Sequence, residues 1–368
     1  MINKSKNLLI PALTITFLLT ACGAKNNADA TNNTLTPLSD IVTDASQIDG
    51  VREGVYDYVY LGTFNEEPIK WKVLANHRNS GEADGLFVLA DSGIENSRFG
   101  DSADWNNSLG REWCRNFYEN PDVFSDSERN LILYTQKTDE LDYEAPDGVD
   151  GSYLACPLDG DYCFFLSVEE AMQTEYGFPD NMLADPSRSV EYNGRLRWWW
   201  LRSRYSEDSG RECLVYRDGN ITNDISTRSV ILARPAFNLS KSDASIFFAQ
   251  KTEEANTWRL TLTDEKNLPT PEITNPAITE GQISFRCTNP ADESYTNLSV
   301  MITNKEQNEI YAYESFPRES LLPDKDLLVT LPKGFSEDSC SVLVFNENND
   351  SQSAVSYAGK PIELQFTE

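Results

Sequence analysis

Short apolar segments of strand length, separated by polar turns, recur along this chain and constrain its fold more than any other feature. In the first predicted folded region, which begins at about residue 51, the segments VYDYVYLGTF (55–64) and IKWKVLA (69–75) have strand length and are either alternating or continuously apolar. From about residue 272 to the end, further short apolar segments follow at intervals of about ten residues. Evenly spaced strands with polar turns are typical of a β-sandwich, so we expect one at this end of the chain.

One segment has a helical pattern instead. In SLGREWCRNFYE (108–119), Leu109, Trp113 and Phe117 recur every four residues, which places three large apolar side chains on one helix face. The patterns Ser-x-x-Glu at 125–128 and at 167–170 resemble capping boxes and predict two further short helices. The first region therefore combines strands with helices.

The first 22 residues, MINKSKNLLIPALTITFLLTAC, have the composition of an export signal. Two lysines precede an apolar stretch at 8–19, which is shorter than the ~20 residues that cross a bilayer. The following LTACG resembles a bacterial lipobox, which implies a signal peptide at 1–21 and a lipid-modified, palmitate-type anchor on Cys22. The alternative is a cysteine that happens to end an ordinary signal peptide.

The remaining N-terminal residues and the charge bear on location and partners. Residues 22–50 are rich in Asn, Thr, Ala and Asp without an apolar period, so we predict a flexible tether. The chain carries 31 basic and 59 acidic residues and a net charge of -28, which excludes nucleic acid as a main partner. Together these features predict a lipid-anchored, extracytoplasmic protein on the outer face of the cell membrane.

The cysteines suggest two disulfide pairs. Cys287 and Cys340 share an inward parity with apolar neighbours, and a bond between them would join two facing sheets. Cys156 and Cys163 flank the turn Pro-Leu-Asp-Gly, which could bring their sulfurs together. With Cys22 lipidated, six of the seven cysteines remain, which allows fifteen connectivities, and export permits disulfides without requiring them. Structural thiols and a redox-active pair are the alternatives.

Three residues of the first region are candidate ligand contacts. The run Trp198-Trp199-Trp200 could stack on a sugar, but on a strand at least one of its faces must be core, and Trp199 is the better candidate for exposure. Arg202 and Arg234 could hold a carboxylate between them. The alternative is a salt bridge or a backbone-carbonyl clamp at a strand end.

Catalytic signatures are absent from the sequence. His77 is the one histidine, and no nucleophile-elbow, zinc-protease or phosphate-loop motif occurs. We therefore predict no catalytic residue, no metal site and no cofactor. A glycosidase needs only two carboxylates, so a hydrolase stays open as an alternative.

The ordered set IKWKVL, WNNSLGREWCRNFYE, FSDSERNLI, DYCFFLSVEEA, WWWLRS and ARPAFNL resembles the bacterial surface domain known as domain of unknown function 6273. Arg204-Tyr205 stand where the family usually has Pro-Gly, and Ala233 stands where it usually has Val. The segments LSVMI, LPKGF and LVFNE resemble the immunoglobulin-like domain that often follows. The family implies no characterised reaction and looks distantly similar to the C-type lectin-like fold.

These features together predict the following organisation: a signal peptide (1–21), a lipidated cysteine with a tether (22–50), a lectin-like α+β domain with a trailing hairpin (51–265), and an immunoglobulin-like β-sandwich (272–368). The function that this organisation favours is recognition of an extracellular glycan or protein without catalysis. The alternatives are a hydrolase that acts on envelope or other polysaccharides through two carboxylates, and a structural envelope protein without a small ligand.

We expect the substitution Cys22→Ala to release the protein into soluble fractions, because the acyl chains would be its attachment to the membrane. Fractionation of cells with and without detergent measures this. Extraction of the variant by detergent alone would contradict the lipid anchor.

Overall fold

The computed structural model describes residues 34–43, 45–76, 85–102, 104–137, 142, 152–205, 210–241, 243–288, 293–350 and 352–366. The predicted signal peptide and Cys22 lie outside these ranges, as does His77. None of the helices within the described ranges is both long enough and apolar enough to cross a membrane.

Strands dominate the described residues. The two α-helices there are α1 (Leu109–Glu119) and α2 (Asp126–Leu131). The strands are β1 (Ile41–Val42), β2 (Tyr58–Phe64), β3 (Glu67–Ala75), β4 (Gly85–Ala90), β5 (Glu95–Ser97), β6 (Ile132–Leu133), β7 (Thr135–Lys137), β8 (Leu158–Asp161), β9 (Val190–Tyr192), β10 (Arg195–Arg197), β11 (Trp199–Arg204), β12 (Arg211–Val215), β13 (Ile221–Ile225), β14 (Ile231–Ala233), β15 (Ala236–Ser240), β16 (Ile246–Lys251), β17 (Thr257–Thr263), β18 (Ile273–Thr279), β19 (Gln282–Cys287), β20 (Asn297–Asn304), β21 (Ile310–Pro317), β22 (Leu327–Thr330), β23 (Cys340–Asn348), β24 (Ser356–Ala358) and β25 (Ile362–Glu363).

The prediction of an α+β, C-type lectin-like domain is wrong, because the protein is mostly β. Strand accounts for 43% of the structure and helix for 12%. The capping box at 125–128 is confirmed and opens α2. At 167–170 the two reciprocal capping bonds also form, but only the single 3-10 turn Glu170–Met172 follows. The carboxylate of Glu170 is also bound to Arg202, which ties this turn to a strand.

The predicted helix at 108–119 is confirmed, but its buried face is rotated. Gly110, Cys114 and Phe117 face the core, whereas Leu109 is 44% exposed. The side chain of Ser108 accepts a hydrogen bond from the backbone N–H of Arg111 and caps the helix. Gly110 lies on the buried face because its missing side chain lets α1 approach the rings of two core phenylalanines.

The largest sheet of the described residues has the order β21-β20-β23-β24-β17-β2-β3-β4-β15-β6. Strand β16 pairs with β17 and β1, and β25 pairs with β23. A second sheet, β13-β12-β11-β14-β5, and the two-stranded sheets β10-β9 and β7-β8 lie in the N-terminal lobe, and the sheet β18-β19-β22 belongs to the C-terminal lobe. Here the N-terminal lobe means the described residues up to Thr263, and the C-terminal lobe means those from Ile273 onward.

Strand β17 is shared by the two lobes. Its first half, Thr257–Arg259, pairs in parallel with β2, and its second half, Thr261–Thr263, pairs in parallel with β24. Its other edge pairs with β16. Trp258, Leu260 and Leu262 are all at most 3% exposed, so the strand is also buried through its side chains. The two predicted domains are therefore continuous with each other through backbone hydrogen bonds.

Part of the predicted tether belongs to the fold. Ile41 and Val42 pair with β16, and Val42, Ala45 and Ile48 are buried in the core of the N-terminal lobe. These side chains are apolar residues in a segment that is otherwise polar, and their burial offsets the cost of ordering the backbone around them.

The C-terminal lobe consists of two facing sheets around one core. Ile283 and Phe285 of β19 pack in the same cluster as Val300 of β20 and Val344 of β23. This is the sandwich layering expected from the evenly spaced strands. Its assignment as immunoglobulin-like remains a prediction.

Cys287 and Cys340 are both buried in this same core. The structure holds them as thiols, and the predicted bond between them remains a prediction for oxidised protein.

A third apolar cluster lies between the lobes. Phe248 of β16 contacts Phe345 of β23 at 6.2 Å between ring centroids and Tyr313 of β21 at 5.5 Å. Phe247 meets Phe345 edge-on at 4.9 Å. The remaining buried members are Ile41, Met301, Ile310, Leu343 and Ala358. This cluster, which we call the junction cluster, joins β1 and β16 to the C-terminal sheet through buried apolar side chains.

We expect Phe248→Ala to destabilise both lobes together by about 3–5 kcal/mol, because it opens a cavity in the junction cluster. All seven tryptophans precede residue 259, so their fluorescence reports on the N-terminal lobe, whereas far-UV circular dichroism reports on both. Urea unfolding of the variant should show coincident transitions by the two probes, both at lower urea than in the parent.

The matched control is Val230→Ala, because Val230 is 52% exposed and its truncation should change stability by less than about 0.5 kcal/mol. Separate transitions, in which Phe248→Ala moves the fluorescence transition of the N-terminal lobe and leaves the transition of the C-terminal lobe unmoved, would show that the lobes unfold independently.

Candidate functional site

The three ligand-contact residues predicted from the sequence are interior residues. Trp199, Arg202 and Arg234 are each 0% exposed. The indole N–H of Trp199 donates to the backbone carbonyl of Arg188 at 2.9 Å. The prediction that these three side chains contact a ligand is therefore corrected, because all three are buried: Trp199 and Arg202 lie on β11, in the middle of its sheet, and Arg234 directly follows β14.

Arg202 belongs to a buried ion pair. Its guanidinium donates to Oε2 of Glu170 at 2.5 Å and to the carbonyls of Cys156 and Phe165 at 2.9 and 2.8 Å. Lys137 approaches the other carboxylate oxygen of Glu170 at 3.4 Å. Burial alone would raise the pKa of Glu170, but the charges of Arg202 and Lys137 lower this pKa to about 2.

Arg234 clamps backbone carbonyls. Its guanidinium donates to the carbonyls of Ala90, Arg188 and Asp91 at 2.8, 3.3 and 3.4 Å and lies 4.8 Å from the ring centroid of Trp199. Both arginines thus make the contacts of the alternative given above, a salt bridge or a clamp of backbone carbonyls, and neither is available to a ligand.

A third buried arginine was missed. Arg188 is 0% exposed and donates to five backbone carbonyls, those of Gly219, Ala171, Pro179, Asn181 and Leu183. No sequence motif distinguishes it from an exposed arginine, since its partners are carbonyl groups that every residue carries.

Trp198 is the partly exposed member of the tryptophan run. Its ring lies 4.7 Å from that of Tyr216, and the guanidinium of Arg228 lies 5.9 Å from its centroid. Trp199 and Trp200 are both 0% exposed, so this run cannot form the predicted sugar-stacking platform.

The candidate site lies elsewhere on the N-terminal lobe, in a cavity of about 520 Å³ between α1 and the end of β8. We call this cavity the polar groove. Its lining residues are Asn106, Asn107, Ser108, Arg111, Glu112, Arg115, Tyr118, Glu119, Gly160, Asp161, Tyr162 and Cys163. Most of these side chains carry hydrogen-bonding groups, as expected of a site for a polar ligand.

A hydrogen-bond network holds the two walls of the groove together. Arg111 donates from Nε to Asp161 at 2.8 Å and from Nη1 to the side-chain oxygen of Asn106 at 2.9 Å. The indole N–H of Trp105 donates to the other oxygen of Asp161 at 3.2 Å, and Asn106 donates to Asp159 at 2.9 Å. The groove is therefore preorganised before any ligand arrives.

Three tyrosines, two of them exposed and one half-buried, lie together at the groove, and we call them the tyrosine patch: Tyr118, Tyr134 and Tyr162. The rings of Tyr118 and Tyr162 stack with 4.5 Å between centroids and 4° between planes. Tyr134 meets Tyr162 edge-on at 5.3 Å. Tyr134 is 53% exposed and Tyr162 39%, so ring surface remains open to a ligand.

Gly160 makes the position of Tyr134 possible. It has a φ of +143°, and a Cβ at this position would overlap the hydroxyl and ring of Tyr134. A larger residue here would displace Tyr134 from the patch.

A second cavity of about 500 Å³ lies where the β1 segment meets the turn before β21. Leu38 and Ile310 are joined there by a backbone hydrogen bond of 2.7 Å.

Within the ranges that the structure describes, no group of three or more His, Cys, Asp or Glu side chains could hold a metal ion.

The tyrosine patch could not be found from the sequence. Its members come from α1, from the residue before β7 and from the residue after β8, so no spacing relates them. The nearest signal was DYCFFL, in which Tyr162 precedes Cys163 and the buried Phe164, but alternation alone does not say which side faces solvent.

Residues 83–241 match the model of the family described as Domain of unknown function (DUF6273). This region is therefore similar to that family, and it contains the polar groove and the tyrosine patch. No curated protein and no solved structure gives a significant match to the chain.

We expect Arg202→Met to destabilise the fold by about 3–5 kcal/mol at pH 7, because it leaves Glu170 buried with only Lys137 as counter-charge. The pKa of Glu170 is lowered from 4.5 to about 2 in the folded protein, so its stabilising contribution is present above about pH 4.5 and is lost as the pH falls through about 2. Urea unfolding should therefore show a difference between parent and variant that shrinks from pH 7 to pH 3.

Arg228→Met is the matched control, since the Arg228–Asp224 pair has an arginine that is 41% exposed and should matter little. A cost below about 1 kcal/mol for Arg202→Met at pH 7 would contradict the clamp role of Arg202.

Proposed function

We propose that the protein is a non-catalytic recognition module that binds a neutral extracellular glycan at the polar groove and the tyrosine patch. The observation that carries this proposal is the pair of exposed tyrosines, Tyr134 and Tyr162, beside a groove lined with amide, guanidinium and carboxylate groups. Flat aromatic faces bury the apolar face of a pyranose ring, and the polar groups exchange hydrogen bonds with its hydroxyls.

The charges of the groove support a neutral ligand. Arg111 and Arg115 stand against Glu112, Glu119 and Asp161, and Arg111 is already paired with Asp161 at 2.8 Å. The whole chain carries a net charge of -28, which repels acidic polymers. A neutral sugar meets no such repulsion.

The location of the module is part of the proposal. A lipid on Cys22 would hold the protein at the outer face of the cell membrane, where a glycan of the cell's own envelope or of its surroundings is accessible. The lipobox-like sequence before Cys22 supports this location.

An array of glycans and peptidoglycan fragments tests the proposal. We expect the parent to bind a neutral glycan, and Tyr134→Ala and Tyr162→Ala each to weaken that binding about tenfold, because each removes an aromatic contact surface. Tyr311→Ala is the matched control, since this tyrosine lies in the C-terminal lobe and donates its hydroxyl to Glu309.

Each other outcome of the array contradicts the proposal in its own way. Cleaved glycans among the products would favour the hydrolase. Binding that both tyrosine variants retain would move the site away from the patch. A blank array with folded protein would favour a protein partner or a structural role.

A further inference from the structure

Two side chains of helix α1 contact the end of β8 and the residue that follows it. At one end of this contact, Arg111 is bound to Asp161 and to the carbonyl of Gly160. Two turns further on, Tyr118 stacks on Tyr162. Positions three and four apart share a face of a helix, so the residue between these two contacts faces the same segment.

That residue is Cys114, and it meets Cys163. The Cys163 thiol neighbours the Cys114 thiol and adds to the rise of its pKa that burial causes. Cys114 is 0% exposed and Cys163 is 4% exposed, and both are present as thiols in the same apolar core. Cys163 also lines the polar groove, so it is the member of the pair that a molecule in the groove can approach.

We propose that Cys114 and Cys163 form a reversible disulfide by exchange with a low-molecular-weight disulfide. The sulfur of Cys163 attacks one sulfur of that disulfide, which breaks the S–S bond and releases the first thiol. The sulfur of Cys114 then attacks Cys163, which releases the second thiol and leaves the intramolecular bond. The two cysteine protons go to the two released thiols, and the two electrons from the cysteines reduce the small disulfide.

The order of attack follows from exposure and environment. Burial, together with the neighbouring Cys163, raises the pKa of the Cys114 thiol well above its ordinary value, so Cys114 is a poor first nucleophile. Once Cys163 carries the mixed disulfide, Cys114 is already in place to attack it. Its proton passes to the departing thiolate.

The bond would join the two walls of the polar groove covalently. Cys114 lies on α1 with Arg111 and Tyr118, and Cys163 directly follows Tyr162. A link between residues 114 and 163 also closes a long loop, which lowers the entropy of the unfolded chain and stabilises the folded one. This inference does not depend on what the groove binds.

Non-reduced peptide mapping of the full chain in detergent tests the proposal, after equilibration with reduced glutathione or with an excess of oxidised glutathione. We expect a Cys114–Cys163 linked peptide in the oxidising buffer alone, with a rise of several degrees in the thermal unfolding midpoint. Cys114→Ser should lose both the peptide and the rise. Cys213→Ser is the matched control, because it removes another buried thiol and should keep both.

Three results would overturn the proposal: both thiols open to alkylation after denaturation of oxidised protein, a Cys156–Cys163 peptide, or glutathione retained on Cys163. The peptide map of the parent decides between these results even where Cys114→Ser does not fold.

Discussion

The arrangement of the whole molecule depends on the pairing of β17. One edge of this strand is bonded to β16, while its other edge is divided between β2 of the N-terminal lobe and β24 of the C-terminal lobe. Since each half uses its backbone groups for a different lobe, neither lobe can move without breaking ladder hydrogen bonds. The junction cluster around Phe248 and Phe345 adds apolar burial to this constraint. Both lobes accordingly belong to one compact unit, residues 35–368.

Within the N-terminal lobe, buried arginines donate hydrogen bonds to backbone carbonyls that regular secondary structure would otherwise satisfy. Arg188, Arg202 and Arg234 are all 0% exposed and donate mainly to backbone carbonyls. Because an unpaired buried carbonyl is costly, these bonds let long irregular segments cross the interior. An arginine has a similar role at the candidate site, where Arg111 donates to Asp161 and so connects α1 to the segment that carries Tyr162.

The local elements could be predicted from the sequence, and their assembly could not. The strand segments, the helix at 108–119 and the capping box at 125–128 follow from periodicity and cap chemistry, and the structure confirms them. The prediction of a lectin-like fold was wrong because it rested on a distant family similarity, and local sequence patterns do not show how strands and helices assemble. The prediction of Trp199, Arg202 and Arg234 as ligand contacts failed because the sequence alone does not show which side chains the fold buries. The patch unites residues of three separate elements, which only the tertiary structure brings together.

The most direct test of the account is amide hydrogen exchange of the full chain with and without a mixture of neutral oligosaccharides. A ligand in the polar groove slows exchange only where it contacts or rigidifies the backbone. We predict slower exchange in residues 105–119 and 158–163, with the strands of the C-terminal lobe unchanged. Saturable binding with protection confined to the C-terminal lobe, or to the cavity beside β1, would contradict the assignment of the site.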